Sequence, residues 1–219
     1  VMRAAPASCT HFWFPNDSSE LPPDLVAQVA QAAAGYDITV LTYVDDDGPR
    51  QVFPPGHTAL NPTNAWRVNE PCLVLARGLA EALGGFDESL GPGAPTPFQA
   101  CEAGDLMLRA VDHHPSLNWR PDLRILGVTQ GYGLSPRARC VKQLGYGRGF
   151  GEVLRRHGNS VVRRLAAVAG PFSHRPAWRS RQGWAEALWS AIGRWQGAFP
   201  RWARLCNPLL PKAVRLRRR

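Results

Sequence analysis

The sequence has no apolar run approaching the ~18 residues that span a bilayer, no CxxC pair, no Cys/His cluster with metal-ligand spacing and no internal repeat. The first absence excludes a membrane-crossing helix, so the chain is expected to be soluble or to lie on a membrane. Its five cysteines (Cys9, Cys72, Cys101, Cys140, Cys206) are scattered and odd in number, which argues against a closed disulfide framework and for a reducing compartment. No signal peptide opens the sequence, and the expected location is the cytoplasm, with peripheral attachment to the inner face of the plasma membrane as an option. Acidic residues are nearly missing from the second half: residues 137–219 carry 19 Lys+Arg against 2 Asp+Glu, net +17, whereas residues 1–136 carry 7 against 15, net −8. A surface that basic seeks phosphates, of nucleic acid or of an anionic membrane.

What is present is globular in composition, with 44% hydrophobic and 20% charged residues over 219 positions. The 21 Gly and 20 Pro predict many turns and long loops. Residues 11–14 (His-Phe-Trp-Phe) suit a short buried strand, and Pro22-Pro23 precede a helix over residues 24–34 with Leu25, Val26, Val29 and Ala33 inward and Gly35 as its stop. A strand follows over 37–44. Residues 45–70, rich in Asp, Pro, Gly and Asn, read as loop-like with irregular or edge structure. Residues 72–83 read as a short helix or a strand running into one, 102–111 as a helix and 123–128 as a strand. Beyond Pro136 the pattern turns helical, with helices expected over 149–157 and 182–196, the second carrying Trp184, Leu188, Ile192 and Trp195 on one face. Strands alternating with helices predict an α/β fold.

Chemistry concentrates in residues 84–110, GGFDESLGPGAPTPFQACEAGDLMLRA. Two glycines and an acidic pair precede a Gly/Pro-rich loop, and Glu102 and Asp105 then open a helix. Three apart, they share one helical face, and a helix N-terminus stabilises a carboxylate as the anion a general base must be. Earlier, Asn16, Asp17 and Ser18 form a polar cluster at the carboxyl end of a strand, where open α/β sheets place ligands. Later, Tyr146-Gly147-Arg148-Gly149 sets an arginine between glycines, which would let backbone and guanidinium approach a diphosphate. Each piece alone has a plain structural reading: a turn with a helix cap at 16–18, ordinary first-turn acids at 102 and 105, a Gly-rich turn before a helix at 146–149.

Together these segments, from about residue 11 to residue 157, resemble the family-two nucleotide-sugar glycosyltransferases. The resemblance implies a partial GT-A (Rossmann-like) mixed sheet with flanking helices over residues 1–136, followed by a basic helical C-terminal tail over 137–219. It implies a front strand, helix and strand for the nucleotide that this sequence does not contain. It further implies a nucleotide-sugar donor, a glycan or lipid-linked acceptor, and transfer with inversion in polysaccharide, glycolipid or cell-envelope glycan synthesis. Glu102 would be the base with Asp105 as its support; Asn16, Asp17 and Ser18 would face the donor diphosphate, Asp17 ligating Mg²⁺ or Mn²⁺; Asp87, Arg109 and Arg148 would contact phosphate or acceptor. The sequence departs from the family pattern at Asn16 and Ser18, where ligating aspartates usually stand, at Ala103, the usual place of the base, and at Gly127, where a metal-binding His is usual. His113 and His114 sit in a polar turn and read as solvated.

Two other readings stay open. The departures suit a degenerate or truncated relative without activity. The tail, in which Trp178, Trp184, Trp189, Trp195 and Trp202 alternate with arginines and the chain reaches Arg217-Arg218-Arg219, suits a membrane headgroup layer, a nucleic acid, or plain packing of a Trp stripe on the domain. No RNP, zinc-finger or helix-turn-helix signature accompanies the charge, so nucleic acid is not the expected partner.

Overall fold

The computed structural model describes residues 5–46, 48–50, 59–127, 133–173 and 180–206. Trp178, the five terminal residues 215–219, Asp47 and Val128 lie outside them. Two compact units emerge, one of Val1–Asp87 with Ala103–Tyr132, the other of Glu88–Glu102 with Gly133–Arg219.

The first unit is α/β. Strand β1 (His11–Trp13) leads through helix α1 (Leu25–Ala33) to strand β2 (Ile38–Asp45), whose first six residues are all buried. A two-residue strand β3 (Gly48–Pro49), strand β4 (Leu73–Ala76), helix α2 (Arg77–Ala82), helix α3 (Glu102–Ala110) and strand β5 (Leu117–Leu126) complete it. The sheet is mixed. Strand β4 lies antiparallel between β1 and β2, with Phe12 opposite Leu75 and Thr39 opposite Val74, while β5 runs parallel to β2. Runs of apolar residues made most of the strands readable, and α1 stops at Gly35, which takes φ +82°. Leu25, Val29, Ala32 and Ala33 face the core, but Val26, expected inward, is 57% exposed, because the helix turns its Ala32–Ala33 side to the sheet.

One strand differs from expectation. Strand β5 begins at Leu117 rather than at 123, carrying Pro121 inside it; the pairing with β2 breaks register there, passing from Val40–Trp119 to Thr42–Arg124, and an irregularity of that kind tolerates a residue that cannot donate to the ladder. Within 45–70, expected to be loop-like with irregular or edge structure, the chain forms β3 at the sheet's edge and short 3₁₀ turns at Ala65–Arg67 and Glu70–Cys72.

The second unit is helical. Helix α4 runs unbroken over Pro136–Arg156, far longer than the expected 149–157, and is followed by α5 (Val161–Ala169), α6 (Arg181–Ala198) and α7 (Pro200–Cys206). Serines start three of them: the Ser135, Ser160 and Ser180 hydroxyls accept from the backbone nitrogens of Ala138, Arg163 and Gly183, each cap contributing about 1 kcal/mol. Helices α4 and α6 meet through glycine. A Cβ on Gly147 would overlap the Ser190 carbonyl and one on Gly193 the Leu144 carbonyl; Gly151 and Gly197 repeat the arrangement one turn on. Gly145 and Gly149, on the other side of α4, lie against Gln99 and Ala100. The buried side of α6 is therefore its small-residue side, with Ala187, Ser190, Ala191, Gly193 and Gly197, and not the Trp184–Leu188 edge, which is exposed. Among the described residues no helix is long and apolar enough to cross a membrane.

Candidate functional site

After β1 the chain turns tightly. The Ser19 nitrogen donates to the Asn16 carbonyl at 3.0 Å, and Glu20 then pairs with Leu126, donating to its carbonyl at 2.7 Å and accepting at 3.1 Å. Phe14 holds the start of the turn by packing edge-on against Phe86, ring centroids 5.0 Å apart. Asn16, Asp17 and Ser18 are all exposed at its tip. Among the described residues no three His, Cys, Asp or Glu side chains converge as a ligand group. One exposed carboxylate beside an amide and a hydroxyl does not by itself make a site for a hard divalent cation.

The Gly84-Gly85 turn after α2 puts two consecutive residues at positive φ, +71° and +77°, which side chains beyond glycine rarely accept. Arg109 clamps it. Its Nη1 donates to the Leu83 carbonyl at 2.5 Å, its Nη2 to the Gly85 carbonyl at 2.8 Å, and its Nε to Asp105 at 2.9 Å. Asp105 is 4% exposed, so it orients a guanidinium that closes a turn, a role that residue spacing alone did not suggest. Asp87, just past the turn, is half-buried.

Between the turn and α3, residues 88–101 form a loop that hydrogen-bonds to itself. The Thr96 hydroxyl donates to the Ser89 carbonyl, the Gln99 amide donates to the Ala94 and Thr96 carbonyls and accepts from the Gly93 nitrogen, and the Gly91 nitrogen donates to the Phe98 carbonyl. The Gln99 nitrogen donates to the Gly145 carbonyl of α4 at 3.2 Å. This loop sets Gly91, at φ +96°, directly against the half-buried side chain of Glu102: a Cβ there would lie 2.8 Å from Cδ and from Oε1. Glu102 thus opens α3 with its carboxylate seated on glycine backbone. The next peptide, Ala103 N–H, donates to Glu70 Oε1 at 3.3 Å. Glu70 and Gly91 are the two residues that sequence reasoning missed. Nothing in the spacing links 70 to 103, and Gly91 carried a signal only as one glycine in a Gly/Pro loop.

Arg148 lies within α4, its Nε donating to Oε1 of the fully buried Gln196 on α6 at 2.7 Å. Burial pulls its guanidinium down to about 10, still a cation at neutral pH. At Gly127 the Tyr43 phenol fills the space that a side chain would take, since a Cβ there would overlap its hydroxyl. His113 and His114 are exposed.

The chain matches no family model and no curated protein. What it can do chemically must come from the groups themselves. A carboxylate at a helix N-terminus, on a loop that fixes its direction, can accept a proton or cap the helix. At the exposed turn the Asn16 amide and the Ser18 hydroxyl can donate hydrogen bonds, while the Asp17 carboxylate only accepts them.

Proposed function

We propose that this chain carries the base of a sugar transferase that uses a nucleotide-diphosphate donor and inverts the anomeric centre. In this reading Glu102 takes the proton of an acceptor hydroxyl, whose oxygen attacks the anomeric carbon. The carbon–oxygen bond to the diphosphate breaks, and the nucleoside diphosphate departs with the electron pair. The acceptor is a glycan or a lipid-linked sugar. The observation that supports it best is the seating of Glu102 against Gly91 at the start of α3, within the same residues that carry the resemblance to family-two glycosyltransferases.

A second reading, a relative without activity, is favoured by the Asp105–Arg109 pair and by Tyr43 filling the space at Gly127. Glu102→Gln separates the two. Release of nucleoside diphosphate from a responsive donor should fall by roughly 10²-fold or more, with donor affinity unchanged. Equal release by variant and wild type would remove Glu102 as base, and donor binding without release from any sugar nucleotide would favour the inactive relative.

A further inference from the structure

Helix α5 is amphipathic the wrong way round for a packed helix. None of its residues is buried. Val161, Val162, Leu165, Ala166 and Ala169 fall on one continuous arc at 100° per residue, and all five are exposed, Val162 at 75%, Val161 at 54% and Leu165 at 53%. Of the other four residues, Arg164, Ala167 and Val168 are half-covered and Arg163 is exposed. Arg164 lies over the Phe199 ring at 5.1 Å and donates to the Ala198 carbonyl at 3.1 Å, at the junction of α6 and α7. One of its two arginines, Arg164, thus faces the protein, while Arg163 and the apolar arc of five face out.

The neighbouring helices extend the pattern. Trp184 and Leu188, one turn apart on α6, are 43% and 50% exposed, and Trp184 stacks near Phe172 just beyond the end of α5. On α7, Trp202 and Leu205 are 65% and 75% exposed, flanked by Arg201 and Arg204. Neither α5 nor α7 contains an acidic residue, and Glu186 of α6 is paired with Arg139.

We propose that the outward arc of α5 seats this unit on an anionic phospholipid surface, with Val161, Val162 and Leu165 entering the headgroup–acyl boundary. Exposed valine and leucine set among arginines match a surface that is apolar beneath and negative above. The charge decides the occupant: 19 Lys+Arg against 2 Asp+Glu in residues 137–219 would make a second copy of the unit repel the first, whereas phosphodiester headgroups attract it. The inference uses no residue of the sugar-transfer reading and stands or falls apart from it.

Flotation of the full chain with vesicles tests it, using phosphatidylcholine alone and equal parts phosphatidylcholine and phosphatidylglycerol. Wild type should float with the anionic vesicles and stay behind with the zwitterionic ones. The double variant V162E/L165E should bind the anionic vesicles roughly tenfold more weakly or worse, while Val26→Glu, an exposed change in the other unit, should bind as wild type. Both positions on α5 are exposed, so the thermal melt of the double variant should match wild type; V162A/L165A supplies a milder second test, expected to weaken binding with no added negative charge. Undiminished binding by a folded V162E/L165E would overturn the assignment of α5, equal binding to both vesicles would overturn the anionic surface, and a dimer in solution that the same substitutions dissolve, without vesicle binding, would give the face to a second copy.

Discussion

Gly91 and Glu102 form the pair on which the proposed chemistry depends, and substitution can separate the two things Gly91 does. Alanine at position 91 meets both an unfavourable φ of +96° and the Glu102 carboxylate; alanine at Gly93, φ +83°, meets only the first, with nothing within 4 Å. Both variants should lose on the order of 1–2 kcal/mol in a urea melt, but only Gly91→Ala should also depress turnover, by moving the carboxylate; equal turnover in the two would mean that the contact does not matter. Cys72 offers a separate check on the core of the α/β unit. Burial pushes its thiol up to about 12, helped by the charge of Glu70 and opposed by a hydrogen bond with the Tyr43 backbone. A group raised in the folded state adds stability that is whole below its unfolded pKa, here 9.0, and is lost as pH climbs toward 12. Urea melts should therefore weaken above about pH 9, and Cys72→Ala should flatten that alkaline decline; an unchanged decline would contradict the burial. Of the residues singled out in the sequence, Glu102 was legible because an acidic residue before a helical pattern has a position as well as a chemistry. The engagement of Asp105 with Arg109 was not, because it depends on the path of the Gly84-Gly85 turn.

At the scale of elements, the buried strands were readable wherever apolar residues ran together, as in β2, and the helices wherever a stop such as Gly35 followed them. Helix α4 was read too short for a physical reason. Gly145, Gly147, Gly149 and Gly151 lower helix propensity by about 1 kcal/mol each relative to alanine, and a local reading sees a turn. The close approach of α6 on one side and of residues 99–100 on the other outweighs that cost, through contact that only bare backbone allows. The consequence can be tested by the same substitution at two places. In Gly151→Ala the new methyl would lie 2.7 Å from the Ala198 nitrogen and overlap the Arg194 carbonyl, whereas in Gly78→Ala, in α2, it meets nothing within 4 Å. Chemical denaturation should show the first to be destabilising by about 1–3 kcal/mol and the second neutral or stabilising by about 0.5–1 kcal/mol. A tolerated alanine at 151 would mean that α4 and α6 do not pack through their glycines.

Across the whole molecule the sequence declares two characters, acidic before residue 137 and basic after it, and the chain forms an α/β unit and a helical one. Composition could not reveal that the loop carrying Gly91 clusters with the helices, because that grouping rests on Gln99 and Ala100 meeting Gly145 and Gly149, far along the chain. Nor could the Trp spacing reveal which side of α6 is buried, because small residues at close range replaced the apolar stripe as the packing face. The most direct test of Glu102 as the base is nucleoside diphosphate release by wild type and Glu102→Gln across uridine, guanosine and thymidine diphosphate sugars, with Mg²⁺ or Mn²⁺ present and a glycan or lipid-linked acceptor supplied. Wild type should release nucleoside diphosphate from at least one donor, and Glu102→Gln should lose that release with the donor still bound; release that survives the substitution undiminished would remove Glu102 as the base.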